Sequence, residues 1–172
     1  MVTFQWATGQ NFCNYLTDCP RAERCVPDIE RMIALLVRSR AQNINLIAFS
    51  CSSPLLAEAL VRLRTRHPTE GRAELARRYR LSNVIFAASD IDLKAFALSY
   101  VPPIMDLAEQ TLVYMSRNDA ALGFFSLISS TSRIGRPAIE ELTIKDIERL
   151  AANPRLQAIG VSEVRGALEW GA

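Results

Sequence analysis

The stretch that decides the fold is Ile44-Asn45-Leu46-Ile47-Ala48-Phe49-Ser50-Cys51-Ser52-Ser53-Pro54-Leu55-Leu56-Ala57-Glu58-Ala59-Leu60. Its first part is a short apolar run typical of a buried strand, and its second part places leucine and alanine at helical spacing. Ser50 lies at the change from strand to helix, between the small residues Ala48 and Ser52. A serine at such a turn is typical of a nucleophile elbow, where the strand and the helix leave no room for large flanking side chains. A second interpretation is that Ser50 only caps the helix.

Apolar runs and helical patterns alternate along most of the chain. Strands are predicted at residues 2–6, 43–49, 82–88, 110–115 and 156–161. Helices are predicted at residues 28–38, 54–65, around 96–97, and at 104–108, 120–128 and 143–152. Because most strands are apolar runs rather than strict alternations, the pattern favours an α/β fold with a mostly parallel sheet and helices on both faces. The length of 172 residues favours a single domain.

Polar residues follow three of the predicted strands. Ser50 follows the second strand, Asp90 and Asp92 follow the third, and Asp119 follows the fourth. Because ligands of parallel sheets bind at the carboxyl ends of the strands, we expect these side chains at one edge of the sheet. Asp90 and Asp92 have two interpretations. They are either a carboxylate pair for proton transfer or Mg²⁺, which Asp119 would join, or N-caps of the helix that follows.

Composition bears on the partners and the location of the protein. Hydrophobic residues make up 49% of the chain and charged residues 22%, and the net charge of +2 is too small to indicate binding to nucleic acid. No window approaches the roughly 18 apolar residues of a membrane span. Residues 1–6 lack the basic start and apolar core of a signal peptide, so we expect a cytoplasmic protein. The arginine-rich residues 62–80 are interpreted as a solvated helix face and loop, or as a phosphate-binding patch.

The four cysteines do not indicate a metal site. Cys13, Cys19 and Cys25 are spaced by six, unlike paired zinc ligands, and His67 is the only histidine. We therefore expect free thiols in a reducing compartment, and no metal or other cofactor. Cys51, which follows the serine at the turn, is interpreted as a small buried residue or as a thiol nucleophile.

Three runs, in order, carry a resemblance to a known family: residues 47–60 around the turn, residues 83–92 with Asp90-Ile91-Asp92, and residues 112–122 with Ser116-Arg117-Asn118-Asp119. Together with residues 4–18 and 159–164, they resemble the bacterial DUF900 group of esterase-like α/β-hydrolases of unknown function, over nearly the whole chain. The resemblance implies a partial α/β-hydrolase fold and a small ester-like substrate.

The resemblance also assigns roles to three positions. Carried over residue by residue, it implies that Ser50 is the nucleophile, that Asp119 is the acid of a catalytic triad, and that the backbone N–H of Cys51 holds the oxyanion. In such a triad a histidine takes the serine proton and the acid orients the imidazole ring.

The chain departs from the family pattern at several positions. Phe49 replaces a histidine before the nucleophile. Ser52 replaces a glycine, and its larger side chain is expected to crowd the turn. The family's first strands and oxyanion loop are expected before Phe4, and its catalytic histidine after Val164, but these 172 residues contain neither. His67 comes before the acid and is therefore in the wrong chain order for the base; it is interpreted as an exposed loop residue.

Two functions remain open from the sequence. The first is a serine hydrolase that acts on a small ester-like molecule. The second is a catalytically inactive or truncated hydrolase-fold domain that serves as an interaction module. A sheet without its first strands would have an exposed edge and an uncovered apolar face, so we also expect a homodimer that forms through that edge.

Overall fold

A four-stranded parallel sheet forms the centre of the protein. The computed structural model describes residues 1–5, 22–116, 133–135, 150 and 152–161. Within these residues the strands are β1 (Ile44–Phe49), β2 (Leu81–Ala87), β3 (Ala108–Met115) and β4 (Leu156–Gly160). They pair side by side in the order β1-β2-β3-β4, and every pair is parallel. The predicted α/β class with a parallel sheet is therefore confirmed.

Among the described residues, one helix precedes β1 and the others connect β1 to β2 and β2 to β3. They are α1 (Val26–Arg38), α2 (Ser52–Thr65), α3 (Arg72–Tyr79), α4 (Leu93–Ala95) and α5 (Val101–Leu107), with a 3₁₀ turn at Glu23–Cys25 before α1 and a π-helix at Phe96–Tyr100 between α4 and α5. Pro27 and Pro54 stand in the first turns of α1 and α2, where a missing N–H costs no helical hydrogen bond. None of these helices is long and apolar enough to cross a membrane.

One predicted strand is wrong where the structure describes it. Residues 2–5, from the predicted strand at 2–6, have no regular secondary structure, and residue 6 lies outside the described residues. Phe4 is partly buried against the hydrophobic core, so its apolar side chain contributes to packing without a strand ladder. The predicted helix at 120–128 lies outside the described residues, as does the predicted helix at 143–152 except for residues 150 and 152.

The two faces of the sheet differ in exposure. Leu46 and Ala48 of β1 are buried, whereas Ile47 and Phe49 on the opposite face are 70% and 67% exposed. Right-handed crossovers between sequentially ordered parallel strands place every connecting helix on the same face, and α2 packs against both α1 and α5. The described helices thus form one layer. The second helical layer, and the homodimer through an exposed edge, stay predictions.

Arginine side chains hold the helices together at the amino end of the sheet. The arginine-rich segment 62–80 contributes four ion pairs, Arg62–Glu58, Arg64–Asp106, Arg66–Glu30 and Arg78–Glu70. These pairs link α2 to α1 and α5, and they link the end of α3 to the loop before it. Most of the positive charge of this segment is therefore balanced within the fold, which agrees better with a structural face than with a phosphate-binding patch.

Candidate active site

Ser50 occupies a sharp turn between β1 and α2. Its φ angle of 53° places it in the left-handed region, which costs a residue other than glycine about 1–2 kcal/mol. The Ser50 N–H donates to the Ala87 carbonyl over 3.0 Å, and the Ser53 N–H donates to the Ser50 carbonyl over 2.9 Å. These bonds tie the turn both to the neighbouring strand and to the helix. Ser50 is thus held in a strained backbone conformation at the junction of strand and helix.

The Ser50 hydroxyl does not cap the helix. Cys51 is the N-cap residue of α2, and no side-chain cap hydrogen bond is present there. The alternative interpretation of Ser50 as a helix cap is therefore wrong. The hydroxyl is partly exposed and makes no hydrogen bond with the described residues, so it is sterically accessible for chemistry.

Ser52 stabilises the turn rather than crowding it. Its hydroxyl accepts a hydrogen bond from the Phe49 N–H over 2.8 Å and donates one to the Phe49 carbonyl over 2.6 Å. Both backbone groups of the last residue of β1 are satisfied by this one side chain. A serine can therefore replace glycine at this flank because its hydroxyl closes the turn.

Cys51 lies at the positive end of the α2 dipole. It follows Ser50 directly, and its partly buried thiol is not in a disulfide. A backbone N–H at the start of a helix is well placed to stabilise negative charge. The oxyanion role that the family resemblance implies for the Cys51 N–H stays a prediction.

The two aspartates after β2 have separate partners. The Asp92 Oδ1 accepts the Ala95 N–H over 2.7 Å and caps α4, which is one of the two alternatives that the sequence left open. The Asp90 carboxylate forms an ion pair with Arg133, with 3.3 Å between Oδ1 and Nε. Burial raises the pKa of the Asp90 carboxyl, and the charge of Arg133 opposes that rise.

Arg133 is the residue of this region that sequence reasoning did not find. It lies in a segment, residues 129–137, that has no periodic pattern and is predicted to be a loop. Its pairing with Asp90 joins residues 43 positions apart. No local sequence signal marks a contact of that separation.

Asp119 lies outside the described residues, because the structure is described only up to Ser116 in this part of the chain. The role of Asp119 as the acid of a triad therefore stays a prediction.

One family model matches almost the whole chain. The model described as "Alpha/beta hydrolase of unknown function (DUF900)" matches residues 1–167. The chain belongs to the DUF900 family. The four-stranded parallel sheet with its helices agrees with the hydrolase fold of that family. No curated protein and no solved structure matches the chain.

The single histidine of this DUF900 protein lies far from Ser50. α2 separates them, and its 14 residues span about 20 Å. The His67 Nδ1 lies 2.7 Å from the Glu70 Oε1, and the His67 ring packs edge-on against Tyr79. The predicted exposed loop histidine is therefore a partly buried residue, with 22% of its side chain exposed. It is not placed to take a proton from Ser50.

The described residues contain no cluster of histidine, cysteine, aspartate and glutamate that could hold a metal ion. Cys25 and Cys51 do not form a disulfide, whereas Cys13 and Cys19 lie outside the described residues. Among the described residues, the site brings together the Ser50 hydroxyl, the N-terminus of α2 and the loop after β2.

Proposed function

We propose that this protein is a serine-hydrolase-like member of its family that acts on small ester-like molecules, with Ser50 as the nucleophile and Asp119 as the acid. The left-handed backbone of Ser50 carries the proposal. Strained residues persist where the surrounding structure holds them, and they cluster at functional sites. Membership in a family of α/β-hydrolases supplies the context in which a strained serine between strand and helix is a nucleophile.

The proposed reaction begins with attack on the ester. The Ser50 Oγ forms a bond to the carbonyl carbon while its proton passes to a base, and the carbonyl oxygen becomes an oxyanion. The Cys51 N–H and the positive end of the α2 dipole stabilise that charge. The alcohol then leaves with a proton from the protonated base, and water hydrolyses the acyl-serine.

The base in this reaction is not His67. His67 lies at the far end of α2, beside Glu70. Removal of one triad member costs several orders of magnitude in rate, while oxyanion stabilisation and substrate binding retain about 10³–10⁴-fold catalysis over water. We therefore expect slow chemistry at Ser50 in the isolated chain, and faster chemistry when imidazole in solution supplies the base.

Labelling of Ser50 by a fluorophosphonate, followed by mass spectrometry of the modified peptide, tests the proposal. We expect modification at Ser50 that becomes faster with imidazole concentration and disappears in Ser50→Ala. The matched control is Ser99→Ala, which removes an exposed serine from the π-helix and should leave labelling unchanged. The protein-dependent hydrolysis of p-nitrophenyl acetate, measured above the rate with imidazole alone, should also increase with imidazole and disappear in Ser50→Ala. Absence of labelling in folded protein, with and without imidazole, would contradict the proposal.

The alternative is a catalytically inactive hydrolase-fold domain that serves as an interaction module. The position of His67 favours it, because His67 lies at the far end of α2 beside Glu70 and is not placed to take the Ser50 proton. The two functions differ in the imidazole experiment, since an inactive domain gains no labelling when a base is added.

A further inference from the structure

A three-residue segment, Arg133 to Gly135, forms backbone hydrogen bonds with the loop after β2 and with the end of β3. The Gly135 N–H donates to the Ser89 carbonyl over 3.0 Å, and the Ile134 N–H donates to the Ile91 carbonyl over 2.9 Å. The Ser116 N–H, just after β3, donates to the Gly135 carbonyl over 2.8 Å. This segment therefore holds the loop after β2 against the end of β3.

Side chains reinforce this backbone contact. The Arg133 Nε lies 3.3 Å from the Asp90 Oδ1, and an Arg133 terminal nitrogen donates to the Asp90 carbonyl over 3.3 Å. Only 20% of the Arg133 side chain and 12% of the Asp90 side chain are exposed. Ile134, the residue between Arg133 and Gly135, is fully buried in the hydrophobic core. Loss of one charge would leave the other in a poorly solvated position, which is costly.

The loop that is held in this way directly follows the residue of β2 that binds Ser50. Ala87 accepts the Ser50 N–H, and the next residue, Ala88, has a φ angle of 46° in the left-handed region. Ser89 follows, fully buried, and its carbonyl accepts the Gly135 N–H. A left-handed residue other than glycine persists only where the surrounding structure holds it, and the ion pair of Asp90 is two residues further along the chain.

We propose that Asp90 and Arg133 are positioning residues for Ser50, because their ion pair fixes the strained loop that directly follows Ala87, the last residue of β2, whose carbonyl binds the Ser50 N–H. This inference rests on the proposed function of Ser50 as a nucleophile. Neither residue touches the substrate in this proposal. The pair acts through the backbone of residues 87–89, and so orients the turn that carries the reacting hydroxyl.

Labelling kinetics test the positioning role. In the presence of imidazole, Asp90→Asn and Arg133→Gln should each slow the fluorophosphonate reaction of Ser50 by about 10- to 100-fold, the cost of a small misplacement. The double variant should be no slower than either single variant, because both remove one interaction. Arg133→Lys keeps the charge and should recover part of the rate. The matched control is Arg78→Gln, which breaks an ion pair with Glu70 at the opposite end of the sheet and should leave the rate unchanged.

Hydrogen exchange gives a second measurement that does not depend on labelling. We expect the amides of Ser50, Ile134 and Gly135 to lose protection in Arg133→Gln, while the core amides of β2 keep theirs. Unchanged protection, or equal rates in wild type and all variants, would overturn the positioning role even if wild-type Ser50 reacts. An equal loss of rate in Arg78→Gln would show a general effect of stability and would also overturn it. Loss of protection in a protein whose Ser50 does not react would support the positioning of the turn and contradict the proposed function.

Discussion

The two ends of the sheet use charged residues in opposite ways. At the amino end, the Glu70 carboxylate accepts two hydrogen bonds from Arg78, at 2.9 and 3.0 Å, and lies 2.7 Å from the His67 ring nitrogen. The hydrogen bond from Arg78 is the main cause that lowers the pKa of Glu70. At the carboxyl end, burial is the main cause that raises the pKa of Asp90, although Arg133 is 3.3 Å away. The first end is arranged for stability, whereas the second keeps a carboxylate in an unfavourable environment, as functional sites commonly do.

Backbone strain shows the same difference. Arg80, at the amino end, has a φ angle of 51°, and this left-handed residue ends α3 with its N–H bound to the Ala76 carbonyl over 2.9 Å. Its guanidinium also bonds to the Val37 carbonyl at the end of α1. Ser50 and Ala88, at the carboxyl end, are left-handed without ending a helix. Strain at Arg80 is thus explained by helix termination, and strain at Ser50 calls for another explanation, which the proposed function provides.

The largest difference in the free energy of unfolding should appear when one ring of the aromatic pair at each end is replaced by alanine. Phe96 packs edge-on against Phe86, with ring centres 5.6 Å apart, and both rings are buried in the core next to the loop after β2. We expect Phe96→Ala to lower the free energy of unfolding by about 3–5 kcal/mol. His67→Ala breaks the corresponding pair with Tyr79 but removes a partly exposed ring, so we expect a loss of about 1 kcal/mol.

Urea unfolding measures both variants on the same scale. Equal losses for Phe96→Ala and His67→Ala would mean that the two ends contribute equally to stability, which would contradict the comparison.

Local patterns predicted the elements around the elbow well. Residues 43–49 and 54–65 are predicted as strand and helix, and the structure has β1 at Ile44–Phe49 and α2 at Ser52–Thr65. The order of strands and helices follows from the same periodicities. These features depend on neighbouring residues, and the sequence therefore contains the information directly.

Features that depend on distant contacts were not predictable in this way. α3 was not assigned as a separate helix, because its arginines obscure the two apolar side chains, Leu75 and Tyr79, that it buries. The left-handed conformation of Ser50 and Ala88 depends on hydrogen bonds to other strands and loops. The contact between Asp90 and Arg133 depends on the closure of a long loop, which no local pattern encodes.

A smaller effect should come from glycine at the left-handed positions. Ser50→Gly relieves about 1–2 kcal/mol of backbone strain and loses about 0.5–1 kcal/mol to the entropy of glycine, so we expect a net gain of about 0.5–1 kcal/mol. Arg80→Gly gains the same backbone relief but loses the guanidinium bonds to the Val37 and Ser39 carbonyls. Because hydrogen bonds of charged groups contribute about 1.5–3 kcal/mol, we expect a net loss of about 1 kcal/mol.

Thermal unfolding detects both changes, since about 1 kcal/mol shifts the midpoint by about 2–4 °C in a protein of this size. Ser50→Gly should melt higher than wild type and Arg80→Gly lower. A lower midpoint for Ser50→Gly would show that the turn at Ser50 is not strained.

The smallest effect that separates the two ends is their opposite response to pH. Asp90 has a pKa above its ordinary value of 3.8. Above pH 3.8 the folded protein therefore binds more protons than the unfolded chain, and the contribution of Asp90 to stability falls as pH rises through the folded pKa. Glu70 has a lowered pKa, so its contribution to stability is complete above 4.5 and is lost as pH falls through the folded pKa.

Asp90→Asn and Glu70→Gln isolate these two contributions. Unfolding free energies measured from pH 3 to pH 7 should show Asp90→Asn gaining relative to wild type as pH rises above 3.8, and Glu70→Gln losing relative to wild type as pH rises toward 4.5. Arg133 faces Asp90, and Arg78 and His67 face Glu70, so each variant leaves its basic partners in place. If Asp90→Asn instead lost stability relative to wild type with rising pH, Arg133 would outweigh burial at Asp90. The carboxyl end would then be stabilised by charge in the same way as the amino end, and the perturbed carboxylate would no longer distinguish the region around Ser50.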